Sequence, residues 1–468
     1  GRPGEALDAF DRALEIDRDW AEAHYNRANA LTALGRSGDG EAALRRAIGL
    51  KPAFAGAWNN LGLLLAAGGR FNEAVAAYRR ALAEKSAGGP EKPDILNNLG
   101  NALQALERLD EAEEILRRAL ELAPGDGRLH LNLGGILQDR GMLDAAGAAY
   151  AQAVSLCPDD VDARLRLAML ALLAGDLEAG FEAYEWRWRD PGFIASAARR
   201  RAPGWTGEDL KGKRLLLWAE QGFGDAIQFA RFATLAAARG AEVSVECPKP
   251  LVRLFETLIG VAAVTEPGRD DGDFDFQAPL MSLPRAFGVS LGTIPAAPYL
   301  FSPYLFSKGP AGRDDKLPVC GLNVGLVWAG SESHKNDRKR SLDPALLEPL
   351  TSPPGGCPPG VNFFSLQAAA ANIPPGVARL GCPADFAETA ALIAGLDLVI
   401  SVDTAVAHLA GALGRPVWIM LPFAPDWRWL RGRDDSPWYP TARLFRQRSP
   451  GDWPGTVEAL GRALARFA

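Results

Sequence analysis

The sequence predicts a helical solenoid followed by two lobes, each built from a parallel β-sheet with helices packed around it. The first 188 residues repeat with a period of 34, and the rest of the chain alternates short apolar strands with helices. Polar or charged turns follow three of the predicted strands. Repeats of this length form stacked helix pairs, and strands that alternate with helices form parallel sheets. The predicted class is therefore an all-α array joined to an α/β part.

The repeat keeps a strict register. Units begin at five positions, with four extra residues in the loop around 88–92: Ala21, Ala55, Pro93, Gly127 and Val161. Within a unit a small residue is followed four positions later by a large one and three positions after that by another small one, as in Ala74, Tyr78 and Ala81. This spacing lets two antiparallel helices approach closely and stack on the next pair.

Further residues carry a family resemblance. Leucine-glycine pairs mark the first helices at 61–62, 99–100 and 133–134, and prolines 52, 124 and 158 end units. Together these residues resemble the tetratricopeptide repeat over residues 1–188. The resemblance implies a right-handed superhelix whose concave groove binds a peptide or protein. Asparagines recur on the first helices and are the candidate acceptor-binding residues: Asn26, Asn60, Asn98 and Asn132. The alternative is that these side chains are solvated or bond within the array.

Residues 189–212 change character and predict a connector. They contain Asp190-Pro191-Gly192, a run of three arginines at 199–201 and Pro203-Gly204. Three tryptophans at 186, 188 and 205 flank the segment, and large aromatic side chains seldom stay exposed in a linker. We therefore expect the connector to pack against the second half. The predicted domains are the array at 1–188, the connector at 189–212, a first lobe at 213–310 and a second lobe at 317–468.

The second half reads as two lobes of alternating strands and helices. In the first lobe we predict strands at 214–219, 242–246, 261–265 and 274–277, with helices at 225–239 and 250–258. In the second lobe we predict strands at 322–328, 362–366, 397–401 and 417–421, with helices at 344–350, 386–396, 404–413 and 454–467. Two such lobes in tandem leave a cleft between facing strand ends.

Residues 398–408 are the most informative stretch, because an apolar strand there meets a helix through a polar turn. The backbone N–H groups of Thr404, Ala405 and Val406 would have no intrahelical acceptor, and the helix dipole adds partial positive charge, so a diphosphate is favoured there. His408 lies one helical turn further on the same face. The simpler interpretation is an ordinary α/β domain in which Asp403 is a helix cap and His408 a surface residue.

Two further turns have the same placement. Asp225 follows the strand at 214–219, and the basic cluster 334–340 follows the strand at 322–328. All three turns lie just beyond the carboxyl ends of predicted parallel strands, where open α/β sheets bind ligands. The aromatic stretch 422–429 is predicted either to wall this site or to pack between the lobes.

The paired motifs resemble a known enzyme family. Gly222-x-Gly224-Asp225 together with Asp403-Thr404 and His408 is similar to the heptosyltransferase-type family 9 glycosyltransferases, over roughly residues 212–450. The resemblance implies a GT-B pair of Rossmann-like lobes and an inverting sugar transfer from a nucleotide-sugar, without a metal or other cofactor. Asp225 would take the acceptor proton, unless it is only a helix cap.

The donor site follows from the same resemblance. Residues 403–406 and His408 would bind the nucleotide-sugar, with Asp403 accepting hydrogen bonds from sugar hydroxyls and the helix amides facing the diphosphate. The chain has Ala405 where the family usually has glycine, a difference that could alter which donor fits. The basic segment also departs from the family pattern, so Arg340 is the first candidate for the cation and Lys335 the second.

Composition narrows the remaining function classes. The overall charge is −6 and its acidic excess lies in the array, which disfavours nucleic-acid binding. We expect no membrane span and no signal segment. The five cysteines form no C-x-x-C pair, which argues against zinc and against a disulfide framework and favours the reducing cytoplasm.

The leading interpretation is a bacterial glycosyltransferase whose array selects a protein acceptor, with a flagellin-like surface protein as the first guess. The alternatives are a lipopolysaccharide-type heptosyltransferase and an inactive scaffold for protein interactions, the latter motivated by Ala405 and the altered basic segment.

Overall fold

The computed structural model describes residues 2–84, 92–197, 200–268, 273–302, 318, 320–331, 337–352, 360–367 and 372–467. The chain divides into two compact units, Gly1–Ala163 and Arg164–Ala468, and each is treated by itself. Residues 164–188, which the repeat pattern assigns to the array, group with the second unit. The predicted boundary between the lobes, at 310–317, lies outside the described residues.

The first unit is built from antiparallel helix pairs in the predicted register. Its described helices are α1 (Pro3–Ile16), α2 (Ala21–Ala33), α3 (Ser37–Leu50), α4 (Ala55–Ala67), α5 (Phe71–Ala83), α6 (Pro93–Ala105), α7 (Leu109–Leu122), α8 (Gly127–Asp139) and α9 (Leu143–Leu156). The start of α10 (Val161–Ala174) follows. The helical solenoid predicted from the repeat is confirmed.

Close packing explains the glycine of each leucine-glycine pair. A Cβ atom on Gly62 in α4 would lie 2.5 Å from the ring of Tyr78 in α5, and one on Gly100 in α6 would lie 2.9 Å from Leu116 in α7. In these pairs the large residue of the second helix therefore packs directly on the glycine of the first helix. This contact explains the large position of the small-large-small pattern, since its side chain fills the space left by the glycine.

The second unit begins with helical segments and the connector. After α10 come α11 (Leu177–Tyr184), a 3-10 turn (Glu185–Arg189) and α12 (Pro191–Ala197). Trp205 in the connector is buried, its Nε1 donates to the carbonyl of Glu208 at 2.9 Å, and its ring lies 5.1 Å from that of Phe287. The connector thus packs against the first lobe, as the flanking tryptophans predict.

The first lobe contains a parallel sheet of β1 (Arg214–Trp218), β2 (Glu242–Glu246), β3 (Val261–Thr265) and β4 (Phe276–Pro279), in the order β3-β2-β1-β4. Its described helices are α13 (Phe223–Phe229), α14 (Arg231–Ala238), α15 (Val252–Phe255) and α16 (Leu283–Ala286). The helix predicted at 225–239 is therefore two helices, and it begins two residues earlier. β1 lies inside this parallel sheet, and the turn that follows it lies at the carboxyl edge of the sheet.

The second lobe contains a larger parallel sheet. Its described strands are β5 (Leu322–Val327), β6 (Val361–Ser365), β7 (Val377–Arg379), β8 (Leu398–Val402), β9 (Val417–Leu421) and β10 (Ala442–Arg446), in the order β10-β9-β8-β5-β6-β7. The helices are α17 (Asp337–Arg340), α18 (Glu348–Thr351), α19 (Phe386–Ala394), α20 (Ala405–Ala412) and α21 (Trp453–Phe467). The central strands are buried on both faces, as expected for a parallel sheet covered by helices.

The two lobes meet along the starts of α13 and α20. A Cβ atom on Gly224 would lie 3.0 Å from Cδ2 of His408 and 3.7 Å from the Cα of Ala405. Arg253 and Asp385 add an ion pair of 2.9 Å between the lobes. Within the described ranges no helix has the length and hydropathy needed to cross a membrane.

Candidate functional site

The turn after β8 has the geometry that the sequence predicts for an anion site. Thr404 takes an extended conformation at the N-cap of α20, with φ −142° and ψ 169°, and its hydroxyl lies 3.0 Å from that of Ser401. Ala405 and Val406 are the first two residues of α20, so their N–H groups have no acceptor within the helix. The cap is Thr404, which excludes the interpretation of Asp403 as the helix cap.

Arg340 reaches the same turn from the neighbouring strand. It ends α17, and its Nη1 donates to the backbone carbonyl of Asp403 at 3.1 Å. A Cβ atom on Gly330, just beyond β5, would lie 2.6 Å from Nη2 of Arg340, so the guanidinium packs on bare backbone. The second candidate cation, Lys335, lies outside the described residues. Arg340 is thus placed beside the helix start where the sequence predicts a diphosphate.

His408 is a buried residue of this site, and the interpretation of it as a surface side chain is wrong. It is 4% exposed, and its ring stacks on that of Trp429 with centroids 5.3 Å apart and planes at 19°. Its Nδ1 lies 3.0 Å from the hydroxyl of Tyr439, and its Nε2 lies 3.7 Å from Oδ1 of Asp403. Hydrogen bonding and stacking together fix the orientation of the ring.

Electrostatics set different protonation states for these two groups. Burial, and after it the carboxylate of Asp426, raises the pKa of Asp403 to about 6. Burial lowers the pKa of His408 well below its ordinary value, and the guanidinium of Arg428 lowers it further. At neutral pH Asp403 is therefore mainly ionised and His408 is neutral. The 3.7 Å contact between them is a polar contact and not an ion pair.

Asp225 lies in the other lobe, in the first turn of α13. Its Oδ2 accepts the backbone N–H of Gly222 at 3.1 Å, and its Oδ1 accepts a hydrogen bond from Nη2 of Arg428. The side chain is 23% exposed. Asp225 therefore caps its own helix, as the simpler interpretation holds, and also reaches across the interface between the lobes. The two roles use different oxygens.

Arg428 is the main residue that sequence reasoning missed. It lies in the aromatic stretch 422–429 and is 8% exposed. Besides Asp225 it contacts Gln228, whose Oε1 accepts its Nε–H at 2.7 Å, and Asp426, whose Oδ1 accepts its Nη1–H at 2.7 Å. Burial alone would lower its pKa, but the carboxylates of Asp426 and Asp225 raise it above the ordinary value. The signal was a basic residue between two tryptophans, which the sequence does not distinguish from simple packing.

The aromatic stretch itself packs against both lobes and α11. Phe181 of α11 is buried, with its ring centroid 6.2 Å from that of Phe229, 5.6 Å from that of Trp427 and 6.5 Å from that of Trp438. Both tryptophans belong to the second lobe, and Phe229 ends α13 in the first. Of the two predictions for this stretch, inter-lobe packing is confirmed for Trp427, whose ring centroid lies 6.4 Å from that of Phe229. Trp429 stacks on His408 at the site.

A second buried cluster lies behind the turn that carries Asp225. Oε1 of Glu220 accepts the backbone N–H of Met281 at 3.1 Å and lies 3.4 Å from Nη2 of Arg187. Arg187 also donates to the hydroxyl of Ser282 at 2.7 Å and to Oε1 of Glu185 at 2.6 Å. Burial raises the pKa of Glu220 to about 7, although the guanidinium of Arg187 opposes the shift. This cluster ties the segment after α11 to the end of β1.

The candidate acceptor-binding asparagines lie in the first unit, where three of them bond to neighbouring repeats. Nδ2 of Asn60 donates to Oδ1 of Asn29 at 2.8 Å and to the hydroxyl of Tyr25 at 3.1 Å. Nδ2 of Asn98 donates to Asn59 at 3.1 Å, Nδ2 of Asn132 donates to Asn97 at 2.7 Å, and Asn26 is half-buried on α2. These bonds agree with the alternative of bonding within the array. A role in binding an acceptor stays a prediction.

Possible metal ligands do not cluster in the described ranges. No group of three or more histidine, cysteine, aspartate or glutamate side chains there has the arrangement to hold a metal ion.

Comparison with known families assigns the two parts of the chain separately. Tetratricopeptide-repeat families match residues 1–53, 54–125 and 97–160, and glycosyltransferase family 9 (heptosyltransferase) matches residues 365–420. Residues 1–160 are thus similar to tetratricopeptide repeats, and residues 365–420 are similar to family 9 glycosyltransferases. That segment includes Asp403 and all of α20, whereas Asp225, Arg340 and Arg428 lie outside it.

Similar proteins include one curated relative and several solved structures. Protein FlbA of Caulobacter vibrioides is 31% identical over 340 residues, covering 64% of this chain and 54% of that protein. The chain thus spans about half the length of this relative. Among solved structures, the tetratricopeptide protein YrrB is 25% identical, covering 42% of this chain and 100% of that one with a TM-score of 0.33. PilF of Pseudomonas aeruginosa is 21% identical, covering 42% and 90% with a TM-score of 0.36.

Proposed function

We propose that this protein transfers a sugar from a nucleotide-sugar to a hydroxyl group of a protein acceptor that the repeat array selects. The observation that supports it most is the meeting of two turns from different lobes. The Gly224-Asp225 turn after β1 packs against the start of α20, beside His408 and within reach of Arg428. A carboxylate from one lobe and the free amides of a helix start from the other thus border one site.

On the donor side, the diphosphate lies at the start of α20. The N–H groups of Ala405 and Val406 and the guanidinium of Arg340 supply the positive charge that a leaving diphosphate needs. Asp403, ionised at neutral pH, accepts hydrogen bonds from sugar hydroxyls, and neutral His408 offers a donor or an acceptor beside it. This division places the leaving group and the sugar on adjacent parts of one turn.

On the acceptor side, Asp225 is the general base. It takes the proton of the acceptor hydroxyl while the oxygen attacks the anomeric carbon and the nucleoside diphosphate leaves. A positioned base contributes about 10²- to 10⁴-fold to such a step. The attack is on the face opposite the leaving group, so the transfer is inverting, and the charge is met by protein groups without a metal.

The repeat array supplies acceptor selection. A concave groove of stacked helix pairs binds an extended protein segment, and a small sugar acceptor has no need of one. A flagellin-like surface protein is the first acceptor to test, modified in the cytoplasm before export.

Activity is tested with the full chain and a panel of UDP-, GDP-, ADP- and CMP-sugars that includes a heptose. Nucleotide release and intact mass of the co-incubated acceptor protein are the readouts. Transfer with at least one donor is expected, and Asp225→Asn should lower it about 10²-fold or more with nucleotide affinity unchanged. No turnover and no nucleotide binding across the panel would favour the scaffold alternative. Transfer to a lipopolysaccharide core instead of a protein would favour the heptosyltransferase alternative.

The array's role is tested by removing residues 1–163 and not 1–188. The shorter deletion follows the boundary of the first unit, whereas the longer one would remove Phe181, Tyr184 and Arg187, which are buried in the second unit. Protein modification should be lost, with nucleotide binding and slow donor hydrolysis retained. A full-chain variant with Asn60, Asn98 and Asn132 changed to alanine should weaken acceptor binding and leave nucleotide binding unchanged. Full-rate modification by the deleted protein would refute acceptor selection by the array.

A further inference from the structure

Arg428 joins the two lobes through a single guanidinium. Its Nη2 donates to Oδ1 of Asp225 in α13 of the first lobe, and its Nε donates at 2.7 Å to Oε1 of Gln228, which also lies in α13. Its Nη1 donates to Oδ1 of Asp426 at 2.7 Å in its own lobe, and its guanidinium carbon lies 4.3 Å from the centroid of the Trp427 ring. All three nitrogens are thus used, and the group is fixed on both sides of the interface.

The carboxylate of Asp225 is held at both oxygens as a result. Oδ2 is bonded to the backbone N–H of Gly222 at 3.1 Å, and Oδ1 to Arg428. The first bond comes from Asp225's own helix and exists whatever the lobes do. The second comes from the other lobe, so it exists only while the lobes are together.

We propose that Arg428 is a positioning residue, which orients the carboxylate of Asp225 toward the acceptor when the two lobes close. This inference rests on the proposed function, in which Asp225 is the base. Arg428 itself neither gains nor loses a proton. The proton moves from the acceptor hydroxyl to Asp225, and Arg428 fixes the direction of the receiving lone pair. Catalytic assembly is thereby coupled to lobe closure.

A residue that positions the base in this way has a large effect on the rate of transfer. Misplacing a reacting group by about 1 Å costs on the order of 10²-fold. The guanidinium also stabilises the ionised form of the carboxylate, which is the form that accepts a proton. Glu220 and Tyr184 also interact electrostatically with Asp225, and the carboxylate of Glu220 opposes the ionisation of Asp225. Removing Arg428 should therefore move the acid limb of the pH–rate profile to higher pH.

The test compares Arg428→Met with wild type in the full chain, using whichever nucleotide-sugar of the panel the wild type turns over. We expect kcat to fall by about 10²-fold, donor KM to change less than about threefold, and the acid limb to move up by about one pH unit. Arg428→Lys keeps the positive charge but loses the planar set of N–H donors. The acid limb of its pH–rate profile should therefore lie close to that of the wild type, while its kcat stays low. Adding Arg428→Met to Asp225→Asn should cost nothing further, because the two act through one group.

Arg433→Met is the matched control. Arg433 lies five residues further along the same lobe and pairs with the exposed Asp435 at 2.6 Å. It should keep the wild-type rate and pH profile. If Arg428→Met fails to fold, Arg428→Lys decides: an unchanged rate with an unchanged profile overturns the proposal. An additive loss in the Asp225→Asn background also overturns it.

The outcomes separate the two proposals. A wild type that turns over its donor while Arg428→Met matches it in rate and pH profile refutes only the positioning role. A wild type that turns over no donor of the panel refutes the proposed function, and the positioning role with it.

Discussion

Replacing Gly411 with alanine should destabilise the second unit through one contact. Gly411 lies in α20, and a Cβ atom there would lie 3.0 Å from the Cβ of Tyr439 and closer still to Cγ and Cδ1 of its ring. Tyr439 is 1% exposed, its hydroxyl lies 3.0 Å from Nδ1 of His408, and the guanidinium of Arg231 lies 4.8 Å from its ring centroid. The ring cannot move aside without losing those contacts.

The expected magnitude follows from two opposing effects. Adding a methyl group to a well-packed core costs about 1–3 kcal/mol, and replacing a glycine inside a helix with alanine returns about 0.5–1 kcal/mol. The net effect of Gly411→Ala should therefore be to lower the free energy of unfolding by about 0–2.5 kcal/mol. Urea unfolding followed by tryptophan fluorescence measures the change.

The matched control is Gly461→Ala in α21. A Cβ atom there would meet only Cδ1 of Leu350, at the ordinary distance of 3.8 Å. Only the helix preference remains, so this variant should gain about 0.5–1 kcal/mol. The two substitutions are expected to differ in sign. Equal stability of the two variants would refute the argument that Tyr439 is held against Gly411.

Three further predictions test the site and its support. Arg340→Ala should weaken nucleoside diphosphate binding by about 1.5–3 kcal/mol, measured by calorimetry. If Lys335→Ala shows this loss of affinity and Arg340→Ala does not, Lys335 and not Arg340 is the cation that binds the diphosphate. Burial raises the pKa of Glu220 from 4.5 to about 7, so its contribution to stability falls as pH rises through that window. The free energy of unfolding of Glu220→Gln, measured with urea, should therefore rise by about 1–3 kcal/mol relative to that of the wild type as the pH goes from 4.5 to 8. A difference between the two proteins that does not change with pH would contradict this. Phe181→Ala should cost about 3–5 kcal/mol in the same assay, whereas a loss below 1 kcal/mol would exclude α11 as part of the second unit's core.

The sequence predicts the central elements of the fold better than its edges. β5, β8 and β9 are inner strands, and their largely apolar sequences are what a parallel sheet covered on both faces requires. The two strands that sequence reasoning missed, β7 and β10, are the two edges of that sheet. β7 has only three residues, and β10 carries arginines at 443 and 446. Such strands need to be less apolar, so hydrophobic patterning identifies them poorly.

The same distinction holds at the site. The rule that ligand groups follow the carboxyl ends of parallel strands predicts that Asp225 and residues 403–408 lie together, and the structure places them together. Arg428 follows no strand directly, and its partner Asp225 is 203 residues away in sequence. No local pattern marks a contact of that kind. Likewise, the burial of His408 depends on Trp429 and Tyr439, which only the folded chain brings together.

The small residues at the two helix starts follow from this long-range packing. Gly224 faces His408 and Ala405, and a Cβ atom on it would already lie 3.0 Å from the fixed imidazole. The glycine of Gly-x-Gly-Asp therefore allows α13 to approach α20, and that approach brings Asp225 within reach of Arg428. The motif thus positions the proposed base by permitting close helix contact, and a larger residue at 224 would separate the base from the donor side of the site.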